Sequence, residues 1–370
     1  MSTLIVYRDT ILPKSEIEFM RRQYIGFETL QPVWVGRRVE SWLDRDAFRL
    51  GPVFGGLGGT AFKLFGAIPD LHGLRALGAV CVHAQFGRGG AFALPLAKRL
   101  GLPLVVTFHG GDAYKRAHYR RFPIPALFRL RMKPLMEYAS AFVCVSPGVR
   151  DRLVSRGFPA EKTTVLPIGT DRLLVAPRQD QGAGVFFVGR FVEMKGLPVL
   201  IEAIRLLRAR GCRERFVLIG DGPERGAVER SLAGVEGVEL RGWQTPAQVR
   251  QALSAARALC LPSVTARSGE AEGLPSVAAE AMSLGVPIIA STEAGVETLV
   301  EDGVTGLVFP SRDAGALAGR IEALLAAPDV AIALGDHARH VVERDFDAAR
   351  QSRLLETLLL NVVAARSAAI

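Results

Sequence analysis

The chain has 370 residues, 49% of them hydrophobic and 22% charged, which is longer than one hydrophobic core usually spans and predicts two domains of ordinary size. That balance excludes a disordered chain, and no run approaches the roughly 18–20 apolar residues that cross a bilayer. The formal net charge of +9 is uneven: residues 1–150 hold 21 Lys and Arg against 10 Asp and Glu, while residues 151–370 hold 25 against 27.

In chain order, short β-rich runs alternate with helical patterns. The opening MSTLIVYRDTILPK has no basic leader and no small-residue cleavage site, so it reads as a first buried strand rather than a signal peptide. In the first half the runs are 4–8, 33–36, 80–86, 104–110 and 142–146; in the second they are 185–190, 215–222, 238–243, 258–263, 286–291 and 305–310. Continuous apolar strands, each followed by a helix, predict parallel sheets buried on both faces. The series breaks at 166–184, where Pro, Gly and polar residues cluster without periodicity, so a linker is expected near 170–183. Three parts follow: an N-terminal α/β domain over 1–170, a second over 171–345, and a terminal helix over 346–370. From about 337 onward the pattern is helical, without a strand. In doubly wound sheets ligands bind outside the carboxyl ends of the strands, and chemistry is sought there.

The four cysteines, Cys81, Cys144, Cys212 and Cys260, form no close pairs and mostly sit in apolar runs. They read as buried, reduced thiols rather than disulfides or metal ligands. The basic excess peaks at 115–133, where Lys115, Arg116, Arg120, Arg121, Arg129, Arg131 and Lys133 are interleaved with Tyr119, Phe122, Leu127, Phe128 and Leu130. Two readings stand side by side. One is a helix whose apolar side packs on the core; the other is a surface resting on an anionic membrane. No nucleic-acid-binding motif accompanies the charge.

The strongest constellation is SGEAEGLPSVAAEAMSLGVPIIAS (268–291). Gly273, Leu274 and Pro275 open a helix that contains Glu280, and Pro is at home near a first helical turn. A helix start offers free N–H groups to a phosphate, and Gly273 lets the backbone approach a ligand. Glu280 suits sugar or ribose hydroxyls, and Glu272 lies in the loop before the helix. The plain alternative is a solvated helix start with ordinary acidic residues. A second constellation, GVFFVGRFVEMKGLPVLIEAI (184–204), ends a strand in Gly189-Arg190 and places Lys195-Gly196 before an amphipathic helix with Leu200, Ile201, Ile204 and Leu207. Two cations at such a corner suit a pyrophosphate, although the same letters occur in solvated turns.

With these stretches in view, the second half resembles the donor domain of the family 4 retaining glycosyltransferases, and within them the bacterial members that build exopolysaccharides such as colanic acid. The resemblance runs through GRFVEMKG (189–196), FVLIGDGPER (216–225), VELRGW (238–243), LPSVTARSGEAEGLPSVAAEAMSLGVPIIAS (261–291) and GVETLVEDGVTGLVFPSRD (295–313). The first half matches the family's acceptor domain more loosely, through 82–112 and 142–158, and 338–359 resembles its terminal helices. The resemblance implies the GT-B architecture: two doubly wound Rossmann-like α/β domains facing each other across a cleft, with a C-terminal helix returning to the N-terminal domain. It implies that Arg190 and Lys195 neutralise the leaving pyrophosphate, that Glu280 binds ribose and Glu272 the transferred sugar, and that the amides near Gly273 and Leu274 contact sugar and phosphate. Arg241, Gly242 and Trp243, with Pro262 and Ser263, lie where the base is held. His109 matches a histidine facing the sugar, its plain alternative being a core imidazole. His83 and Asp112 are further acceptor-side candidates, each with a similar structural alternative.

Two departures bear on the acceptor. The loop after the first strand, YRDTILPKSEIEF (7–19), has no glycine and resembles the exopolysaccharide branch, whose loop carries a Pro-x-Ser-Glu element, here Pro13, Ser15 and Glu16. Asp44-Arg45-Asp46 has the spacing of a metal-binding pair from the other glycosyltransferase architecture, but lies far from the donor motifs and reads as a solvated loop or helix end. The expected activity is therefore a retaining, metal-independent hexosyl transfer from a UDP- or GDP-sugar to a lipid-linked or oligosaccharide acceptor, with no cofactor and no nucleic-acid partner. It is placed in the cytoplasm, at the inner face of the plasma membrane if the basic segment meets lipid. The rivals are a non-catalytic sugar-nucleotide-binding subunit and a sugar-nucleotide epimerase of the same architecture. Retention of Arg190, Lys195 and Glu272 weighs against the non-catalytic one.

Overall fold

The computed structural model describes residues 1–11, 19–36, 38–39, 47–49, 70–114, 124–170 and 184–368; for residues 10, 38–39, 47–49 and 124–129 the backbone alone is described. The chain divides into two units, one of Met1–Gly169 with Ala348–Ile370 and one of Thr170–Asp347.

The first unit contains β1 (Ser2–Tyr7), β2 (Thr10–Ile11), β3 (Leu30–Gly36), β4 (Arg38–Val39), β5 (Ala47–Arg49), β6 (Ala79–Gln85), β7 (Leu104–Phe108), β8 (Ala141–Cys144) and β9 (Thr163–Val165). Seven of these make one parallel sheet in the order β5-β3-β1-β6-β7-β8-β9, with β2 and β4 paired apart. Leu4, Ile5, Val6 and Tyr7 are all fully buried, so β1 is covered on both faces, as its unbroken apolar run predicts. Strand order reverses between β1 and β6, and the ends of those two strands form this unit's topological switch point. The helix Gly87–Leu100 packs closely on the sheet there, and a Cβ at Gly90 would come within 2.8 Å of both Val106 methyl groups.

The second unit contains β10 (Val185–Val188), β11 (Phe216–Ile219), β12 (Val238–Gly242), β13 (Ala258–Leu261), β14 (Ile288–Ser291) and β15 (Gly306–Phe309). They form one parallel sheet in the order β12-β11-β10-β13-β14-β15. This is the doubly wound order of dinucleotide-binding folds, with its switch point between β10 and β13. Side chains alternate faces along a strand. Val185 and Phe187 join a core with Leu200, Ile204 and Leu207 of the helix Leu197–Ala209. Phe186 points the other way, into a core with Leu253, Met282 and Val342. Both faces are dry, and the polar groups that remain near strand ends are the ones to examine.

Sequence patterning missed β2, β4, β5 and β9, two or three residues each, because so few letters carry no readable period. The helical tail begins earlier than expected, at Pro328, and runs as Pro328–Asp345 and Ala348–Ala368. Pro328 sits at the first helical position, where its missing N–H costs nothing. The last helix belongs to the first unit, where Leu355 and Leu359 join the core of Leu4, Val6, Tyr24 and Trp34.

Candidate functional site

In the second unit the loops leaving β10, β13 and β14 converge at the switch point. After β10 the buried Phe191 anchors the chain, and the short 3-10 turn Glu193–Lys195 is closed by Gly196 in the left-handed region. Gly196 is obligatory on two counts: its φ is +65°, and a Cβ there would lie 1.8 Å from the Pro262 carbonyl oxygen. This junction delivers the Lys195 ammonium onto Glu272 Oε1, an ion pair whose side chains are 14% and 7% exposed. Ser263 Oγ donates to the same carboxylate oxygen at 3.4 Å, and the Ser263 carbonyl accepts from Ser291 Oγ at 2.5 Å. From the other side Gly295, at φ +67°, lets the loop after β14 press against Glu272 and Gly273. Arg190, one residue from this cluster's start, is exposed and has no partner among the described residues. The result is one compensated cation, one open cation and a carboxylate fixed by two neighbours, an arrangement suited to a diphosphate beside a polyol.

Pro275 is the residue before the helix Ser276–Ser283, with extended backbone, and Glu280 is half-buried within that helix. Gly273 is buried and Leu274 half-buried in the loop that precedes it. On β12 the Arg241 guanidinium is bound to Glu239, at 3.0 Å and 3.3 Å, and lies 5.8 Å from the Phe186 ring centre. Gly242 carries a φ of +67°, and Trp243 is 60% exposed. Pro262 and Ser263 are buried at the end of β13.

In the first unit the polar residues at the strand ends are tied into one chain. His83 is fully buried; its Nδ1 meets the Tyr24 hydroxyl at 2.8 Å and its Nε2 meets Thr107 Oγ1 at 2.7 Å. Both ring nitrogens are thus used inside the unit, and His83 lies behind the site, not at a surface an acceptor could reach. Gln85 Nε2 donates to the Tyr24 hydroxyl at 2.5 Å and to Gln23 Oε1 at 3.2 Å, and Gln85 Oε1 meets His109 Nε2 at 2.7 Å. His109 is half-buried between the rings of Phe86 and Phe19, with centroid distances of 4.4 Å and 5.4 Å. Phe86 itself holds φ +68°, a strained value for a residue with a Cβ. Burial pushes both imidazoles down to about 3, and for His109 the nearby Arg8 charge adds to it. The Asp112 carboxylate accepts from the Gly87 and His109 backbone N–H groups, at 2.8 Å and 3.0 Å. Burial raises it to about 6, against the pull of those donors. Asp112 therefore staples the loops after β6 and β7.

No motif in the sequence singles out Gln85, Tyr24, Gln23 or Thr107. One signal is present: His83 and Gln85 are two apart in an apolar strand, so they share a face. Ser15, Glu16, Asp44 and Asp46 lie outside the described residues. Among the described residues no three His, Cys, Asp or Glu side chains are grouped to hold a metal ion, and no helix is long and apolar enough to cross a membrane.

Comparison with known proteins agrees over both units. Residues 182–327 match the family model described as glycosyl transferases group 1, and residues 39–172 match glycosyltransferase family 4. The putative colanic acid biosynthesis glycosyltransferase WcaL of Salmonella typhimurium is 31% identical over 297 residues, 75% of this chain and 70% of that protein. The amylovoran biosynthesis glycosyltransferase AmsK of Erwinia amylovora is 30% identical over 288 residues, 74% of this chain and 68% of that one. Among solved structures, HepE of Anabaena in complex with UDP superposes with a TM-score of 0.78 at 19% identity, covering 98% of this chain and all (100%) of HepE. Sucrose-phosphate synthase of Thermosynechococcus elongatus gives 0.75 at 20% identity, over 99% and 100% of the two chains.

Proposed function

This chain belongs to the family 4 glycosyltransferases and has their GT-B fold, and on that premise we propose that it moves a hexose from a UDP- or GDP-sugar, with retention and without a metal ion, to a lipid-linked or oligosaccharide acceptor in surface polysaccharide biosynthesis. The observation that carries the reading is the cluster at the second switch point: Arg190 open, Lys195 bound to Glu272, and Ser263 bound to the same carboxylate. In transfer the bond between the anomeric carbon and the diphosphate breaks as the acceptor oxygen bonds to that carbon. The departing phosphate takes the acceptor's proton. Arg190 and Lys195 stabilise the charge that grows on the diphosphate, and preorganised charge of this kind is usually an enzyme's greatest single source of rate enhancement. Glu272 holds hydroxyls of the transferred sugar, Glu280 the ribose, the Gly273 and Leu274 amides the sugar and phosphate, and His109 a sugar hydroxyl. Arg241, Gly242 and Trp243, with Pro262 and Ser263, border the base. The solved relative HepE is described with UDP and with UDP-glucose, and the sequence relatives WcaL and AmsK are described as colanic acid and amylovoran biosynthesis glycosyltransferases. Both descriptions support a nucleotide-sugar donor and a polysaccharide pathway for this chain.

The test uses water as the acceptor. The purified protein is offered UDP- and GDP-sugars in turn with EDTA present, and the sugar released from the productive donor is followed by proton NMR. The α anomer should appear first from an α-linked donor, before mutarotation, and EDTA should leave the rate unchanged. A β anomer as first product would remove retention. Loss with EDTA and rescue by manganese or magnesium would bring the metal-dependent alternative back.

A further inference from the structure

The polar chain behind His109 has a direction. Gln85 presents its amide nitrogen to two oxygens, Gln23 Oε1 and the Tyr24 hydroxyl, and so presents its carbonyl oxygen to His109 Nε2. A carbonyl oxygen only accepts, so the proton of His109 sits on Nε2. With the Tyr24 oxygen accepting from Gln85, its own proton goes to His83 Nδ1, and His83 Nε2–H donates to Thr107 Oγ1. Every link is buried or half-buried, and the chain starts at Gln23, whose own Nε2 is buried and meets no partner among the described residues. At the far end His109 Nδ1 is buried and has no hydrogen-bond partner among the described residues.

We propose that Gln85 is a positioning residue which, backed by Tyr24 and His83, locks His109 in its Nε2–H tautomer, so that Nδ1 offers a lone pair and takes a hydroxyl donor rather than an anion. The ligand class follows from the lone pair: a phosphate or carboxylate oxygen has no proton to give it, whereas a sugar hydroxyl does. That the hydroxyl belongs to the transferred sugar rests on the function proposed above; the tautomer does not. An imidazolium would carry N–H at Nδ1 and could only donate, so the hydroxyl would have to turn and accept, losing the bond its own proton makes. The groups facing His109 keep it neutral: Arg8 repels a second positive charge, His83 is itself buried, Tyr24 is uncharged, and Asp112 spends both carboxylate oxygens on backbone N–H groups. The rings of Phe86 and Phe19 pack against the imidazole.

The measurement is made on ligand-free protein, so that it stands or falls apart from sugar transfer. Long-range proton–nitrogen correlation spectra of the nitrogen-15-labelled chain resolve its 6 histidines, and His109 is assigned by the signal lost in His109→Gln. Wild type should show an unprotonated Nδ1 and a protonated Nε2 that stay unchanged from pH 8 to pH 5. A protonated Nδ1, or a ring exchanging between tautomers, or titration near the ordinary histidine value would overturn the proposal. A protonated Nδ1 would mean that both amides, Gln85 and Gln23, are turned over and the whole chain runs backwards. Gln85→Met, which keeps the volume and removes the lock, should leave His109 exchanging between its two tautomers. Gln85→Glu places a carboxylate against Nε2–H and favours the imidazolium. His109 should then titrate at or above its ordinary value, and turnover of the productive donor should fall as pH drops from 8 to 6 while wild type stays level. A level Gln85→Glu profile, with His109 shown to titrate in that window, would remove the role of the lone pair in binding.

Discussion

At the scale of single residues, the two cations after β10 are not equivalent. Arg190 is exposed and meets no described group, whereas Lys195 is largely enclosed and bound to Glu272. Replacing either by Ala should lower turnover by about a hundredfold or more, as for a lost preorganised charge. Stability separates them. Lys195→Ala strands the Glu272 carboxylate, 7% exposed, without its counterion, and breaking a buried pair in that way costs about 3 kcal/mol. Arg190→Ala breaks nothing and should leave the melting temperature in place. The double variant Lys195→Ala with Glu272→Gln should recover much of the lost stability and none of the activity. Losses of tenfold or less in both single variants would put these cations outside the site. Arg190 and Lys195 could be picked from the sequence because strand, glycine and cation follow one another along the chain. The His83–Tyr24–Gln85–His109 chain could not, because its members come from 22–24, 83–85 and 107–109 and meet only once β6 and β7 pair.

At the scale of elements, apolar runs long enough to show a period were legible, and the six strands of the second sheet all fall on them. Three-residue strands and single buried charges were not. Glu356 is one such charge, on a helix whose apolar letters were plain. Its carboxylate, 6% exposed as a residue, accepts from the backbone N–H groups of Glu28, Thr29 and Leu30. One turn earlier, Ser352 Oγ accepts from Gly26 N–H and donates to the Gln23 carbonyl. The terminal helix is thereby bolted to the segment that carries Gln23 and Tyr24, and through them to Gln85. Glu356→Ala should destabilise the first unit by roughly 3 kcal/mol, since it leaves charge-assisted bonds unmade. Burial would raise this carboxyl, but the three N–H donors outweigh it and hold it below its ordinary value of 4.5. A lowered folded-state value means the stabilisation is present in full above pH 4.5 and is lost as pH falls through the lower folded one. Urea midpoints of wild type and Glu356→Ala should therefore differ at pH 7 and converge under acid. A gap that persists unchanged at low pH would assign the effect to packing instead of charge.

At the scale of the whole molecule, the +9 charge is carried by the first 150 residues, and its densest stretch is 115–133. The structure describes only the end of it. In the helix Ile124–Tyr138, Leu130 is 74% exposed and Lys133 is also exposed, three residues apart and so on one face. Arg131 is different: its guanidinium donates to the Ala91 carbonyl at 3.2 Å and fastens this helix to Gly87–Leu100. An exposed leucine with Lys133 on its face suits a lipid headgroup layer, and each basic residue near an anionic surface contributes on the order of 1 kcal/mol within a Debye length. Several together give reversible, salt-sensitive attachment without insertion, the kind of contact that would bring an acceptor domain to lipid-linked sugars. The protein should sediment with liposomes containing anionic lipid at low salt, ignore neutral ones, and come off near about 0.5 M salt. Arg120, Arg121 and Arg129 replaced together by Gln should abolish sedimentation and leave nucleotide-sugar binding intact, because the proposed donor residues Arg190 through Glu280 lie in the other unit. Arg131 is left in place so that loss of binding is not loss of the helix. Wild-type protein that stays in the supernatant with anionic liposomes at low salt would make the basic stretch a solvated face and point to a soluble acceptor.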